Sequence, residues 1–166
     1  MKIIGIIFIM ASAITSGIRI GTALKKRCTH LQHLVHALQM LKNELLYSAK
    51  PLPILFSSLS KMVQGSVKEI FSDLSSQMEE NRWMSLSTAM ERVVQKHPDD
   101  QSDEILLKLA ADMGSYNLEA QIGAIDIALL QTQQRLSAME NERSVKSKTY
   151  KTLSICAGLA VVILLL

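Results

Sequence analysis

Residues 117–166 read NLEAQIGAIDIALLQTQQRLSAMENERSVKSKTYKTLSICAGLAVVILLL, and this stretch decides the fold. Asn117 is a helix-capping residue type, and the turn Gly114-Ser115-Tyr116 precedes it. Leu118, Ile122, Ile125, Leu129, Leu136 and Met139 recur at alternating steps of four and three, with only Thr132 polar in the series. That is the stripe of a helix, not the alternation of a strand. No Pro or Gly interrupts the run from Ile125 to Ala157. At the rise of an α-helix, residues 117–150 extend about 50 Å. Beyond Glu140, Glu142, Arg143, Lys146, Lys148 and Lys151 the chain loses all charge over residues 153–166. A water-facing helix therefore runs on into a segment suited to lipid.

Working outward, the opposite end of the chain mirrors this change. Ile3 to Leu24 is apolar apart from small polar residues and Arg19, and Lys25-Lys26-Arg27 closes it. About 20 such residues span a bilayer core. The rival reading is a cleaved signal peptide with Ala11-Ser12-Ala13 as its cleavage site, but the apolar run continues past that point to a basic stop. Arg19 lies about 9 Å of helix rise from Lys25 and snorkels to the same interface. Both apolar ends carry their Lys and Arg on the side facing the middle of the chain, with Lys148 and Lys151 flanking the second. The positive-inside rule then places the middle in the cytosol. The expected domains are an N-terminal transmembrane helix over 1–24, a cytosolic helical bundle over 25–152 and a C-terminal transmembrane helix over 153–166. Gly17 with Gly21, and Ser154 with Gly158, match the small-x-x-x-small spacing of close helix contact.

Between the ends, five shorter amphipathic helices precede the long one. The first covers 27–48 and buries Leu31, Leu34, Leu38, Leu41 and Leu45. Lys50-Pro51-Leu52-Pro53 breaks it, because Pro suits a first turn and not a helix interior. The second covers 52–63 and ends near Gly65. The third, 66–80, puts Val67, Ile70, Phe71, Leu74 and Met78 on one face. The fourth, 86–96, turns Leu86, Ala89, Met90 and Val93 inward behind Ser85 as cap. The fifth, 102–113, offers Ile105, Leu106, Leu109 and Met113 and stops at Gly114 as C′ residue. Short links between such helices favour antiparallel neighbours, so the fold class is all-α, a six-helix antiparallel bundle.

The 166 residues suffice for one domain, and the formal charge of +3 is concentrated beside the two apolar ends. That placement excludes nucleic acid as the natural partner. Cys28 and Cys156 form no disulfide framework or zinc motif. His30, His33 and His36 are the one cluster of metal-ligand residue types, but each step of three rotates the helix face by about 60°. Glu44 and Glu69, or Asp99, Asp100 and Asp103, pair with no nucleophile at a diagnostic spacing. No Gly-rich phosphate loop and no G-x-S-x-G elbow is present. The chemistry expected is therefore none: no catalytic residue, no metal, no cofactor. Trp83, the single tryptophan, is assigned a core or capping role, with a partner anchor as the alternative. Arg135, Arg143 and Lys146 are assigned to a solvated face, with contact to a partner or lipid headgroups as the alternative. Two rival functions remain: a membrane-tethered sensor that titrates His30, His33 and His36 beside the lipid, and a hydrolase of unfamiliar motif.

Several pieces together resemble one family. They are the N-terminal anchor ending in Lys25-Lys26-Arg27, then Glu44-Leu-Leu-Tyr47 followed by Pro51-Leu52, then Gly114-Ser-Tyr116 with Asn117 and Gln121, and finally Tyr150-Lys-Thr-Leu153 entering the terminal apolar segment. The chain resembles the stage III sporulation protein AB family of endospore-forming bacteria, end to end in length and order. Asn117 stands where that family tends to have Asp, and Ser154 where it has Gly. The resemblance implies the mother-cell membrane around the forespore as location, with the bundle facing the mother-cell cytosol. It further implies a cytosolic domain similar to that of the inner-membrane platform protein of type II secretion. The implied role is a non-enzymatic adaptor of a channel complex, with a secretion-type ATPase and other channel membrane subunits as partners. Self-association is left open.

Overall fold

The structure, a computed structural model, describes the backbone of residues 2–48, 50–114 and 117–165, and the side chains of 25–144 apart from 49, 115 and 116. Six helices follow in order: α1 (Lys2–Tyr47), α2 (Leu52–Met62), α3 (Ser66–Glu80), α4 (Leu86–Lys96), α5 (Asp103–Asp112) and α6 (Leu118–Leu165). No strand occurs among the described residues. The side chains of both expected anchors, and with them Arg19, Lys148 and Lys151, lie outside the described residues, as does Tyr116. Among the described residues no helix is long and apolar enough to cross a membrane.

One boundary differs from expectation. The expected break between residue 24 and a helix beginning at 27 is absent, because α1 is one helix from Lys2 to Tyr47. The local reason is that Ala23-Leu24-Lys25-Lys26-Arg27 are all good helix formers with no Pro, Gly or capping residue among them. Helix continuity thus holds at both ends of the chain and not only at the last helix.

The chain divides into two compact units, Met1–Cys28 with Ser137–Leu166, and Thr29–Leu136. The second carries the core. Leu31, Leu34, Leu38 and Leu41 of α1 are fully buried, at the three–four spacing read from the sequence. Leu55, Phe56 and Leu59 of α2, Val67, Ile70, Phe71 and Leu74 of α3, Met90 and Val93 of α4, and Ile105, Leu106 and Leu109 of α5 complete it. Phe56 and Phe71 stack with ring centroids 5.9 Å apart. Each such side chain contributes about 1.5–3 kcal/mol by leaving water. α2 packs on α3, α3 on α4 and α4 on α5, as short links require.

On α6 Ala124, Ile125, Ala128, Thr132 and Met139 are buried and Ile122, Leu129 and Leu136 half-buried, so the expected stripe is covered apart from Leu118, which is exposed. The two alanines let the helix sit close to the core. Thr132, fully buried, donates its hydroxyl to the Ala128 carbonyl at 2.7 Å, so its burial leaves no orphaned group.

The helix ends follow local chemistry. Ser85 caps α4 by accepting a hydrogen bond from Thr88 N–H at 3.2 Å, and Ser85→Ala should cost about 1 kcal/mol in chemical denaturation. Asn117 caps α6, its Oδ1 accepting from Glu119 N–H at 2.9 Å. Gly114 does not adopt the left-handed conformation expected of a C′ glycine; its N–H instead makes a short-range bond to Ala111 O, 3.4 Å. The position that does need glycine is Gly65, at φ 67° and ψ −154° before α3, where a Cβ would lie 3.1 Å from His33 Nδ1. Gly65→Ala is expected to lower stability by about 1–3 kcal/mol, since that region is nearly glycine-only. Thermal unfolding by circular dichroism reads both variants.

Candidate functional site

Within the unit Thr29–Leu136 the antiparallel helices define two ends of different chemistry. At one end α1 meets the N-termini of α3 and α5. His30, buried, has Nδ1 2.7 Å from the Ser66 hydroxyl at the start of α3 and Nε2 3.0 Å from the Ser102 hydroxyl before α5. Ser102 therefore precedes α5 without capping it through its side chain, because that hydroxyl belongs to His30. The Asp103 carboxylate instead reaches back to accept the Asp99 N–H at 2.9 and 3.0 Å, fixing the turn ahead of α5. Asp99 lies with Oδ2 3.7 Å from His30 Nε2. Burial pushes the His30 imidazole below its ordinary pKa, against the opposing pull of Asp99. Asp103 is raised by the same burial. A Ser–His–Ser contact invites comparison with a hydrolase, but Ser102 is fully buried and occupies the ring nitrogen where an orienting carboxylate would have to bind. The arrangement is a polar tie joining three helices.

His33 is half-buried and His36 exposed, so the three histidines do not converge. No group of metal-ligating side chains occurs among the described residues. Arg135, expected on a solvated face, is a clamp at this same end: it donates to Gln101 O at 2.7 Å and pairs with Glu104. Between the ends, Asp73 Oδ2 accepts from Lys96 and from His97, each at 2.6 Å, joining α3 to the end of α4. These two bonds hold the Asp73 carboxyl below its ordinary range. Lys42 and Asp126 pair at 2.6 Å and tie α1 to α6, an exposed contact worth no more than about 1 kcal/mol.

The other end holds the residues that carried the family resemblance. Glu44 pairs with Lys50 at 3.1 Å across the chain reversal. Pro51 precedes α2 and its carbonyl accepts the Leu55 N–H at 3.0 Å, while Leu52 packs half-buried against the core. Gln121 donates from Nε2 to Met113 O at 3.3 Å, bracing the link into α6 behind Asn117. These are structural assignments at helix junctions. Lys25, Lys26 and Arg27 are exposed on α1.

Tyr47 is different: it is 89% exposed at the end of α1. With Met40, Asn43, Glu44, Ser48, Lys50 and Met62 it lines an open cleft of about 440 Å³. The expectation for Trp83 is overturned here, because it is 97% exposed in the turn between α3 and α4. Both aromatics stand at one end of the unit. The Ser75 hydroxyl, late in α3, donates to the Pro53 carbonyl at the start of α2, while Ser66 at the head of α3 meets His30. The turn after α3 therefore lies on the α1–α2 side, away from the His30 tie. A sequence signal for Trp83 did exist: α3 and α4 complete their apolar faces without it. Large exposed aromatics beside an arginine, here Arg82, are the side chains that anchor protein interfaces.

Comparison with known proteins agrees with this architecture. The family model for stage III sporulation protein AB matches residues 2–166. A stage III sporulation protein AB of Bacillus subtilis (strain 168) is 26% identical over 171 residues, covering 100% of this chain and 99% of the relative. A solved structure of a stage III sporulation protein AB superposes with a TM-score of 0.66 at 23% identity, covering 72% of this chain and 98% of that one. A family match over residues 2–166 leads to one conclusion: this chain belongs to the stage III sporulation protein AB family and takes part in sporulation.

Proposed function

We propose that the chain is a non-enzymatic scaffold and adaptor of the mother-cell-to-forespore channel, held in the mother-cell membrane by 1–24 and 153–166. In this reading the unit Thr29–Leu136 faces the mother-cell cytosol and couples a secretion-type ATPase to the membrane assembly. The observation that carries it is the pair of exposed aromatics, Tyr47 and Trp83, at the end away from the His30 tie. Thr29 and Leu136, where the chain enters and leaves the unit, lie at the tie end, since Arg135 bonds Gln101 O and neighbouring Ser102 bonds His30. The aromatic end is thus the end of this unit opposite Thr29 and Leu136, and in this reading it is the surface that the motor meets. The polar tie and the Arg135 clamp give that surface a fixed base.

The test is a pull-down of the full chain in detergent micelles with the ATPase encoded alongside it, at low and moderate salt. Direct, saturable binding that survives moderate salt is expected, because burial of aromatic surface is screened little by ions. No binding at either salt would leave a scaffold that contacts only membrane subunits and would discard the motor coupling.

A further inference from the structure

The net charge of +3 is the sum of two populations of opposite sign. The unit Thr29–Leu136 holds nine Lys and Arg against thirteen Asp and Glu, so it is acidic. The unit Met1–Cys28 with Ser137–Leu166 holds nine Lys and Arg against two carboxylates, Glu140 and Glu142. No Asp or Glu occurs in residues 1–43 or after Glu142. Lys25, Lys26 and Arg27 therefore have no carboxylate three or four places away on α1, where a helical cation finds its partner. All three are exposed, and among the described residues none of them makes an ion pair, whereas Lys42, Lys50, Lys96 and Arg135 each do. Burial on α1 begins at the next residue, Cys28.

We infer that Lys25, Lys26 and Arg27, joined by Lys146, Lys148 and Lys151, form a basic collar that selects anionic phospholipid headgroups. The inference rests on the membrane anchoring proposed above. The arrangement of the charges selects the occupant. Three exposed cations in succession, about 100° apart, wrap about 200° of the helix at one level. A protein or a nucleic-acid groove approaches a helix from one side and is met by charges at steps of three and four. A ring at one level meets instead a charged plane that the helix crosses. The level also fits: Lys25 directly follows the apolar run Ile3 to Leu24. On α6, Lys146, Lys148 and Lys151 stand within about 10 Å of helix rise before the uncharged run 153–166. Glu142 and Glu140 stand about 16 and 20 Å back, beyond the Debye length of about 10 Å at 0.1 M salt. Headgroup phosphates thus supply the negative charge that both segments lack at this level. The unit Thr29–Leu136, being net negative, gains nothing from the same lipids, so selectivity belongs to the collar.

The test reconstitutes the full chain in phosphatidylcholine vesicles with a trace of spin-labelled phosphatidylglycerol or spin-labelled phosphatidylcholine. Electron paramagnetic resonance reads the fraction of each probe immobilised against the protein. The anionic probe is expected to be enriched about two- to fivefold over the zwitterionic one at about 0.1 M salt. The enrichment should fall toward equality at about 1 M salt, where the Debye length is only about 3 Å. Lys25→Gln, Lys26→Gln and Arg27→Gln together should remove most of it and leave the zwitterionic fraction unchanged. Lys61→Gln, Lys68→Gln and Lys108→Gln together, three exposed cations of the acidic unit, should leave both fractions unchanged. Equal immobilisation of the two probes by the native chain overturns the inference, leaves the anchors in place and assigns the collar to an acidic protein partner. Enrichment that survives the collar substitutions overturns it as well. No immobilised fraction for either probe overturns the membrane anchoring and the inference with it.

Discussion

Trp83→Ala is expected to weaken the proposed ATPase contact about ten- to a hundredfold, the loss of 1.4–2.7 kcal/mol typical of truncating an aromatic interface anchor. The side chain is almost wholly exposed, so the same change removes little burial from the free protein. Its thermal midpoint should move by no more than about 0.5 kcal/mol in equivalent stability. This split between binding and folding separates the docking role from a core or capping role. Tyr47→Ala should behave in the same way with a smaller loss. Lys108→Ala, exposed on α5, is the control and should change neither quantity. Titration of the full-length variants against the ATPase, alongside thermal unfolding, reads both. An unstable Trp83→Ala protein, or undiminished binding by both aromatic variants, would remove the aromatic end as the motor surface.

His30→Ala is expected to cost about 2–3 kcal/mol of stability. It leaves the fully buried Ser102 hydroxyl without its partner, a loss of about 1–3 kcal/mol by itself, with a cavity in addition. Ser66, at the exposed start of α3, regains water and adds little. The imidazole also has a pH signature. Its folded pKa lies below its unfolded value of 6.5 because burial disfavours the cation. The unfolded chain therefore binds more protons in the interval between the two values, and stability rises with pH through that interval. The contribution is fully present above the unfolded pKa and is lost as pH falls toward the folded one. Asp103, raised by burial, has the opposite sign and recovers some stability on acidification. Asp73, held low by Lys96 and His97, adds a separate loss only beneath its unfolded value of 3.8. Melting curves between neutral pH and pH 5 should thus fall for the native chain and flatten for His30→Gln. Parallel curves for the two proteins would show that His30 does not titrate across this window.

The tie also explains why a sensor built on all three histidines is the weaker reading. His36 is exposed and His33 only half-buried, so the three side chains lie in different surroundings. A switch needs one shared element for two states to compete for.

What the sequence determined by itself is what depends on near neighbours along the chain. The ranges of α3 and α4 agree with those read from periodicity, and Ser85 and Asn117 cap as their residue types and positions require. Leu31, Leu34, Leu38, Leu41 and Leu45 are buried because a three–four spacing selects one helix face wherever that face finds cover. The family resemblance was legible for a related reason: Glu44, Pro51, Asn117 and Gln121 mark helix junctions, whose chemistry is local. Tertiary structure alone decided the rest, because those features join residues far apart in sequence or depend on which faces are already filled. Ser102 is 72 residues from His30, and Asp126 is 84 from Lys42, so no window along the chain contains either pair. Arg135 became a clamp because the turn before α5 leaves the Gln101 carbonyl within its reach. Trp83 stands in solvent because Val67, Ile70, Phe71 and Leu74 of α3, with Leu86, Ala89, Met90 and Val93 of α4, supply the buried faces of both helices and leave the turn between them outside. The same filling leaves Ile127 and Leu130 outside, since α6 meets the core through Ala124, Ile125, Ala128 and Thr132.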